Sequence, residues 1–383
     1  MRVLNVINNL MIGGAETYLA RIAPRMRALG VDIEICALER QGSLIGQLEA
    51  SGIQVLSTRF QSKLRSDPAS RAVDFVRSIN DLRRIIRRGG YDVVHSYLFL
   101  ADLAAVSAAR LTNCKRIIVS RRSMHSAVHP SNPFLHALEQ LVNMFSTELI
   151  ANSRAVLKDA DEHEVWLPSV RTVIYNGVDV EAYQPARPSS SGPLRLVTVG
   201  SLTPLKGQRY AIQAVATLRD SGITATLELV GTGPDEFMLR REASAAGLTD
   251  SVIFAGEQAD PRPFLTRADV FVLPSRVEGF SNALLEAMAS ALPAVATDVG
   301  GNSEALIHGA GGRIVPPGQP TAIATAIVEL ANARSKLPEM GQFNRRRVLE
   351  QFSLEASARQ LADWYLHGPV GQDASAPSIG RRD

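Results

Sequence analysis

Two glutamates, Glu278 and Glu286, flank an otherwise apolar segment in the sequence RVEGFSNALLEAMA, which covers residues 276–289. Its Ala, Leu and Met residues predict a helix that begins near Ser281. The first free N–H groups of such a helix, together with its dipole, suit a phosphate group. Helical side chains lean towards the N-terminus, so Glu286 is expected to reach back towards a ligand bound there.

The two carboxylates would repel a phosphate, but they accept hydrogen bonds well from hydroxyl groups. A diphosphate between two polyol groups fits this arrangement, and nucleotide sugars have that chemistry. Glu286 is predicted to bind ribose hydroxyls and Glu278 to bind those of the sugar, while Gly279 lets the backbone approach the ligand. The alternative is that both glutamates are solvated residues at the end of a helix.

A lysine and a pair of glycines are further candidates for binding a diphosphate. Lys206 lies at the predicted start of a helix in VGSLTPLKGQ, where a cation is unfavourable for the dipole unless an anion is nearby. Gly13 and Gly14 lie between the first strand and the first helix. They either allow a phosphate to approach the backbone closely or form an ordinary turn. The sequence lacks a complete G-x-G-x-x-G dinucleotide motif.

The elements that must position these residues follow an alternating pattern. Short β-branched runs alternate with amphipathic stretches, which is typical of parallel α/β units. Two such series are predicted, in residues 1–183 and 194–350, with a Pro/Ser/Gly-rich linker at 184–193. A final helix is predicted within 351–368, crossing back to the first domain, and the tail 369–383 is expected to be disordered. The predicted fold is α/β, with two tandem Rossmann-like doubly wound domains that face each other across a ligand-binding cleft.

The composition is that of a globular protein, with 45% hydrophobic and 21% charged residues among 383. A net charge of +3 does not indicate nucleic-acid binding, and the sequence shows neither a disulfide framework nor a signal peptide or membrane span. A cytoplasmic protein is therefore expected. Four arginines on one predicted helix form either a solvated face or a peripheral contact with the inner face of the plasma membrane. They are Arg83, Arg84, Arg87 and Arg88.

With these residues in view, the chain resembles the family-four (group 1) retaining glycosyltransferases of the GT-B fold over about residues 2–365. The resemblance rests on an ordered set of motifs: GGAE, ANSRAV, YNGVD, VGSLTPLKG, LVGTGPD, EGFSNALLE and ATDVGGNSE. It implies transfer of a sugar from a nucleotide-sugar donor, expected to be a UDP-sugar, to a saccharide or lipid-linked saccharide acceptor. Polysaccharide or glycolipid biosynthesis is the implied role, without a cofactor or metal. A sugar-nucleotide epimerase and a non-catalytic nucleotide-sugar-binding protein are the alternatives.

The resemblance also implies roles for individual residues. Lys206 and the backbone of Gly14 would stabilise the departing diphosphate, and Glu278 would hold the transferred sugar. The predicted catalytic residues are Lys206, Glu278 and His125. The predicted donor site consists of Gly14, Ser201, Lys206, Gly231, Gly256, Glu257, Gln258, Arg276, Glu278, Gly279, Phe280, Ser281, Asn282, Leu285 and Glu286.

One departure from the family pattern concerns the phosphate. The family usually has an arginine five residues before the lysine, and here that position is Ser201. Another donor must then neutralise the phosphate, and Arg209 and Arg276 are the candidates.

A second departure concerns the acceptor side. The family commonly places a histidine after the fifth strand, where this chain reads VSRRSMHSAVH. His125 is preferred for this role, and His95 is a further candidate, although a structural histidine explains either residue equally well. The competing residues are Arg121, Arg122, His125 and His129. Asp159 and Asp161 form a D-x-D pair in a predicted helix, where alternate positions point apart, so no metal site is predicted.

Overall fold

The computed structural model describes residues 1–61, 68–125 and 132–368. Its first sheet has seven parallel strands in the order β3-β2-β1-β4-β5-β6-β7. They are β1 (Arg2–Ile7), β2 (Asp32–Ala37), β3 (Gln54–Ser57), β4 (Val93–Tyr97), β5 (Arg116–Arg121), β6 (Glu148–Ala151) and β7 (Val170–Val173). The second sheet has six parallel strands in the order β10-β9-β8-β11-β12-β13. They are β8 (Leu194–Val199), β9 (Ala225–Val230), β10 (Val252–Gly256), β11 (Val270–Leu273), β12 (Ala294–Thr297) and β13 (Gly312–Val315).

Helices cover both faces of each sheet. Those of the first half are α1 (Gly14–Ala28), α2 (Leu44–Ala50), α3 (Pro68–Gly89), α4 (Phe99–Arg110), α5 (Pro133–Phe145) and α6 (Arg154–His163). Those of the second half are α7 (Gln208–Asp220), α8 (Glu236–Ala245), α9 (Arg262–Arg267), α10 (Asn282–Ala289), α11 (Asn302–Ala305), α12 (Pro320–Asn332), α13 (Leu337–Gln351) and α14 (Leu354–His367). The prediction of two doubly wound α/β units in tandem is confirmed.

The strand order explains where the site lies. In each sheet the order reverses beside its first strand, between β1 and β4 and between β8 and β11. A crevice opens at the carboxyl ends of the strands at such a point. The loop after β1 carries Gly13, and the loop after β8 carries Lys206. The two loops that the sequence singled out therefore start from the two reversal points.

The apolar composition of α10 follows from its burial. All four residues of the preceding strand β11 are buried. Helix α10 buries Leu284, Leu285 and Met288 in one hydrophobic cluster with Phe271 and Leu273 of that strand. Helix α13 packs against α10 from the other side. Because α10 is enclosed, the only part of it that faces the cleft is its N-terminal turn with Glu286.

The last helix, α14, lies against α1 of the first domain. The Tyr18 hydroxyl and the Ser357 hydroxyl are 2.9 Å apart, and Arg116 donates hydrogen bonds to the carbonyl oxygens of Trp364 and Tyr365. These contacts tie the end of the described chain to the first sheet. The predicted tail from residue 369 lies outside the described residues. In the described part, no helix has the length and apolar character needed to cross a membrane.

Candidate active site

Two adjoining cavities of about 520 and 440 Å3 lie in the cleft between the domains. The first lobe is lined by Glu16, Arg122, Lys206 and Glu278, among others. The second lobe is lined by residues that include Arg21, Gly231, Glu257, Gln258 and Glu286. Both lobes share six lining residues, so they form one elongated groove. These are Gly14, Val199, Gly200, Ser201, Asn282 and Ala283.

The N-terminus of α10 lies where the two lobes meet. Ser281 is its N-cap, and the Ser281 hydroxyl accepts a hydrogen bond from the Leu284 N–H at 3.3 Å. The N–H groups of Asn282 and Ala283 precede the first intrahelical donor, so they are available to an anion in the groove. The Asn282 side chain also donates to the Gly14 carbonyl oxygen at 3.1 Å, which joins this turn to the first domain.

Glu278 lies in the first lobe beside Lys206. One carboxylate oxygen, Oε1, accepts hydrogen bonds from Lys206 Nζ and from the Ser275 hydroxyl, both at 2.7 Å. Glu278 is only 8% exposed, whereas a third of the Lys206 side chain is accessible. Gly207 holds the lysine loop in a left-handed conformation (φ 66°), and a Cβ there would collide with the Pro274 carbonyl oxygen. Lys206 and Glu278, each predicted as a catalytic residue, therefore lie on two loops that pack together.

Glu286 lies in the second lobe and pairs with a residue that sequence reasoning missed. Arg21 on α1 donates from Nη1 to Glu286 Oε1 at 3.0 Å, which makes an ion pair between the domains. Arg21 follows Gly14 by seven residues, so the two lie on one face of α1. That spacing is the signal by which the sequence could have indicated Arg21. Burial, and next the Glu286 carboxylate, raises the pKa of the neighbouring Tyr183.

Most predicted donor-site residues line the groove, but three do not. The Leu285 side chain is 1% exposed and belongs to the hydrophobic core. Gly256 pairs with Gly231 in an isolated bridge, and of these two glycines only Gly231 lines the second lobe. Arg276 lines a separate cavity beside α7 together with Arg209, so neither arginine faces the groove. Gly279, Phe280 and Ser281 line the first lobe.

Four residues after β5 compete for the acceptor-side role. Of those that the structure describes, only Arg122 lines the groove. Arg121 is buried in an ion-pair network with Glu139 and Glu164. The preferred candidate His125 lies outside both lobes, stacked on His163 with ring centroids 5.3 Å apart. His129 falls outside the described residues. The geometry therefore favours Arg122 over His125.

The remaining candidates from the sequence have structural partners. His95 lies between the Tyr365 hydroxyl (2.5 Å) and the Ser120 hydroxyl (2.8 Å), and burial lowers its pKa to about 3. Asp159 accepts the backbone N–H of His125, and Asp161 pairs with Arg171 at 3.4 Å. None of these side chains lines either lobe.

Two family models match the chain. "Glycosyltransferase Family 4" matches residues 12–182, and "Glycosyl transferases group 1" matches residues 193–333. The chain belongs to this glycosyltransferase family. The first match covers most of the first domain, and the second match covers the six strands of the second sheet. Every residue that lines either lobe lies in one of the two matched segments.

Relatives and solved structures agree with this assignment. Glycogen synthase from Mycobacterium tuberculosis is 27% identical over 304 residues, 75% of this chain and 72% of the relative. D-inositol 3-phosphate glycosyltransferase from Arthrobacter sp. is 28% identical over 333 residues, 79% and 78% of the two chains. Anabaena Alr3699/HepE in complex with UDP-glucose superimposes with a TM-score of 0.81 at 22% identity, covering 95% of this chain and 99% of that chain. The fold of this glycosyltransferase is thus GT-B, and its relatives support glycosyl transfer rather than epimerisation.

Proposed function

We propose that this glycosyltransferase moves a hexosyl group from a UDP-sugar to a saccharide or lipid-linked saccharide acceptor, with retention of configuration and without a metal ion. One observation carries the proposal. The free N–H groups of α10 lie between two lobes, with the carboxylate of Glu278 in one lobe and that of Glu286 in the other. The free amides and the dipole of α10 suit the diphosphate at the centre of the groove. The carboxylates suit the hydroxyl groups of the sugar and of the ribose at its two ends.

The rate of transfer depends on stabilising the departing diphosphate. As the glycosidic bond to the phosphate breaks, negative charge builds up on the phosphate oxygen that leaves. Lys206 is placed in the first lobe to neutralise that charge, and its partner Glu278 holds the ammonium in the groove before the donor binds. Stabilisation that increases as the bond breaks lowers the barrier more than it tightens donor binding.

Retention and metal independence have different supports. Retention is proposed from family membership alone. Metal independence is supported by the cationic groups of the cleft, since Lys206, Arg122 and the α10 N-terminus already offer positive charge to a diphosphate. The D-x-D pair at Asp159 and Asp161, by contrast, is engaged away from the groove.

UDP is proposed as the nucleotide because the Anabaena protein has been solved in complex with UDP and with UDP-glucose. A thermal-shift series with UDP, GDP and ADP, each free and as its glucose conjugate, tests this choice. The uridine ligands should raise the melting temperature most. Equal shifts with all three nucleotides would contradict the choice of UDP.

A matched pair of variants tests the assignment of the second lobe. Glu286→Gln should weaken UDP binding. Substitution of Glu236, a partly exposed glutamate on α8 that pairs with Arg240, by Gln should not. Release of UDP from UDP-glucose, with and without saccharide acceptors, then distinguishes an enzyme from a non-catalytic nucleotide-sugar-binding protein. A protein that binds UDP-glucose tightly but neither transfers nor hydrolyses it would support the non-catalytic alternative.

We further propose that the face formed by α3, α4 and α5 contacts a membrane that carries the acceptor. Arg84, Arg87 and Arg88 on α3 are exposed, and α5 exposes Phe134 (68%) and Phe145 (48%). Helix α4 packs against both helices, so the basic and apolar groups lie on one side of the first sheet. Anionic headgroups suit the arginines, and the acyl boundary suits the phenylalanines.

Sedimentation with lipid vesicles tests this contact. Vesicles containing phosphatidylglycerol should bind the protein, and the double substitution Arg87→Glu/Arg88→Glu should reduce binding. Arg240→Glu on α8 is the matched control in the second domain. Equal sedimentation with pure phosphatidylcholine, or no effect of the double substitution, would contradict the proposed contact.

A further inference from the structure

We infer that Arg122 forms an anion-binding subsite in the first lobe, where it takes a phosphate or carboxylate oxygen of the donor. This inference rests on the proposed function, because it identifies a further group that recognises the same substrate. If the anion is the diphosphate, Arg122 supplies from the first domain the positive charge of the arginine that is missing at Ser201.

The side chain of Arg122 is held in place by uncharged groups. Its guanidinium lies 4.3 Å from the centroid of the Tyr18 ring and 5.8 Å from that of Tyr97. Its Nη2 donates to Asn176 Oδ1 at 2.5 Å. The same Asn176 donates to Asn282 Oδ1 at 2.8 Å, at the start of α10. The arginine is therefore ordered beside the helix N-terminus, with no formal charge among these partners.

Charge pairing distinguishes Arg122 from the other cations of the groove. Within the described structure three cationic side chains line the two lobes, and two of them are paired, Lys206 with Glu278 and Arg21 with Glu286. No described carboxylate lies within ion-pair distance of the Arg122 guanidinium, which is partly enclosed. Glu16 lines the same lobe and interacts electrostatically with Arg122, but the two side chains do not form an ion pair.

An enclosed cation without an anionic partner is costly, and a bound anion removes that cost. The planar guanidinium offers several N–H donors in a fork that matches phosphate and carboxylate oxygens, and only one of these donors is used by Asn176. Arg209 and Arg276, the candidates nearest to Lys206 in sequence, line another cavity. The groove thus receives its second phosphate-binding cation from the opposite domain.

Two groups of a donor have this chemistry: the diphosphate of any UDP-sugar and the carboxylate of a uronic acid sugar. Isothermal titration calorimetry with uridine, UDP, UDP-glucose and UDP-glucuronate separates them. If the diphosphate is the anion, Arg122→Met should lower the affinity for UDP at least tenfold and leave the affinity for uridine unchanged. If the sugar carboxylate is the anion, the affinities for UDP and UDP-glucose should be unchanged, and the affinity for UDP-glucuronate should fall at least tenfold.

Arg276→Met is the matched control, since it removes an arginine from the neighbouring cavity, and it should leave all four affinities unchanged. Arg122→Lys keeps the charge and should recover part of the affinity. The inference is overturned if Arg122→Met, or Arg122→Gln where the Met variant does not fold, binds UDP and UDP-glucuronate with the wild-type affinity. If the wild-type protein binds no uridine nucleotide at all, the proposed function fails instead.

Discussion

The substitution Lys206→Met tests the role of the first lobe. Methionine keeps most of the length of the side chain and removes the ammonium that lies 2.7 Å from Glu278. Removal of a single preorganised donor from a developing anion typically costs about 2.7–4 kcal/mol, so we expect kcat to fall about 100- to 1000-fold. The affinity for UDP should fall much less, because the charge on the leaving oxygen is largest in the transition state.

The structural cost of the same substitution is smaller and can be measured separately. The Lys206 side chain is one third exposed, so its ion pair contributes about 1 kcal/mol or less to folding. Initial rates of UDP release at saturating UDP-sugar give kcat, and thermal unfolding reports the fold. Lys206→Arg keeps the charge and should retain more activity than Lys206→Met. Arg209→Met, which removes an arginine from the neighbouring cavity, should leave kcat unchanged. A folded Lys206→Met protein that keeps more than a tenth of the wild-type kcat would refute the reasoning.

Three further predictions concern binding, packing and pH. Glu286→Gln should raise the KM for the donor by about 10- to 150-fold, which is the equivalent of a charge-assisted hydrogen bond of about 1.5–3 kcal/mol. Steady-state kinetics with varied donor concentration measure this change. An unchanged KM would show that the ribose does not contact Glu286. Gly279→Ala should lower the melting temperature, because the new Cβ would collide with the carbonyl oxygen of Arg122 in the other domain. Gly46→Ala is its control, since nothing lies within 4 Å of a Cβ there, and equal melting temperatures for the two variants would contradict the packing argument. Burial raises the pKa of Asp102 to about 7. The native carboxyl keeps its proton up to about pH 7, whereas an unfolded aspartate loses it near about pH 4, so the free energy of unfolding should fall as pH rises through this interval. Urea unfolding at pH 5 and pH 8 measures this fall, and Asp102→Asn should reduce it; an equal fall in the variant would argue against Asp102 as its source.

The fold could be predicted because buried parallel strands leave a simple pattern. A strand such as β11 is covered on both faces, so all four of its residues are apolar and the run stands out between polar loops. The seventh strand, Val170–Val173, leaves a weaker pattern, because this edge strand is only partly buried.

The site could be predicted where its residues are close in sequence. Glu278, Ser281 and Glu286 belong to one loop and one helix, so the spacing itself places them around the same N-terminus. The partner of Glu286 could not be found in this way, because Arg21 belongs to the other domain and the contact exists only when the two sheets face each other. The seven-residue spacing of Gly14 and Arg21 indicates only that they share a face of α1, and it does not indicate that Arg21 pairs with Glu286.

The choice among neighbouring candidates on the acceptor side depended on side-chain direction. Successive residues of a strand point to opposite faces, so Arg121 at the end of β5 enters the ion-pair network under α5 while Arg122 turns to the groove. The sequence RRSMH contains both arginines and His125 within five residues, and a shift of one position exchanges a buried structural cation for one that faces the ligand. Only the three-dimensional packing decides between them.

The central claim is that the N-terminus of α10 binds a diphosphate between the two lobes. A crystal structure of the protein with UDP tests it most directly. We expect phosphate oxygens within hydrogen-bond distance of the Asn282 and Ala283 amides, with the ribose beside Glu286. Phosphates bound instead in the cavity of Arg209 and Arg276, with Glu286 still engaged only by Arg21, would contradict the account.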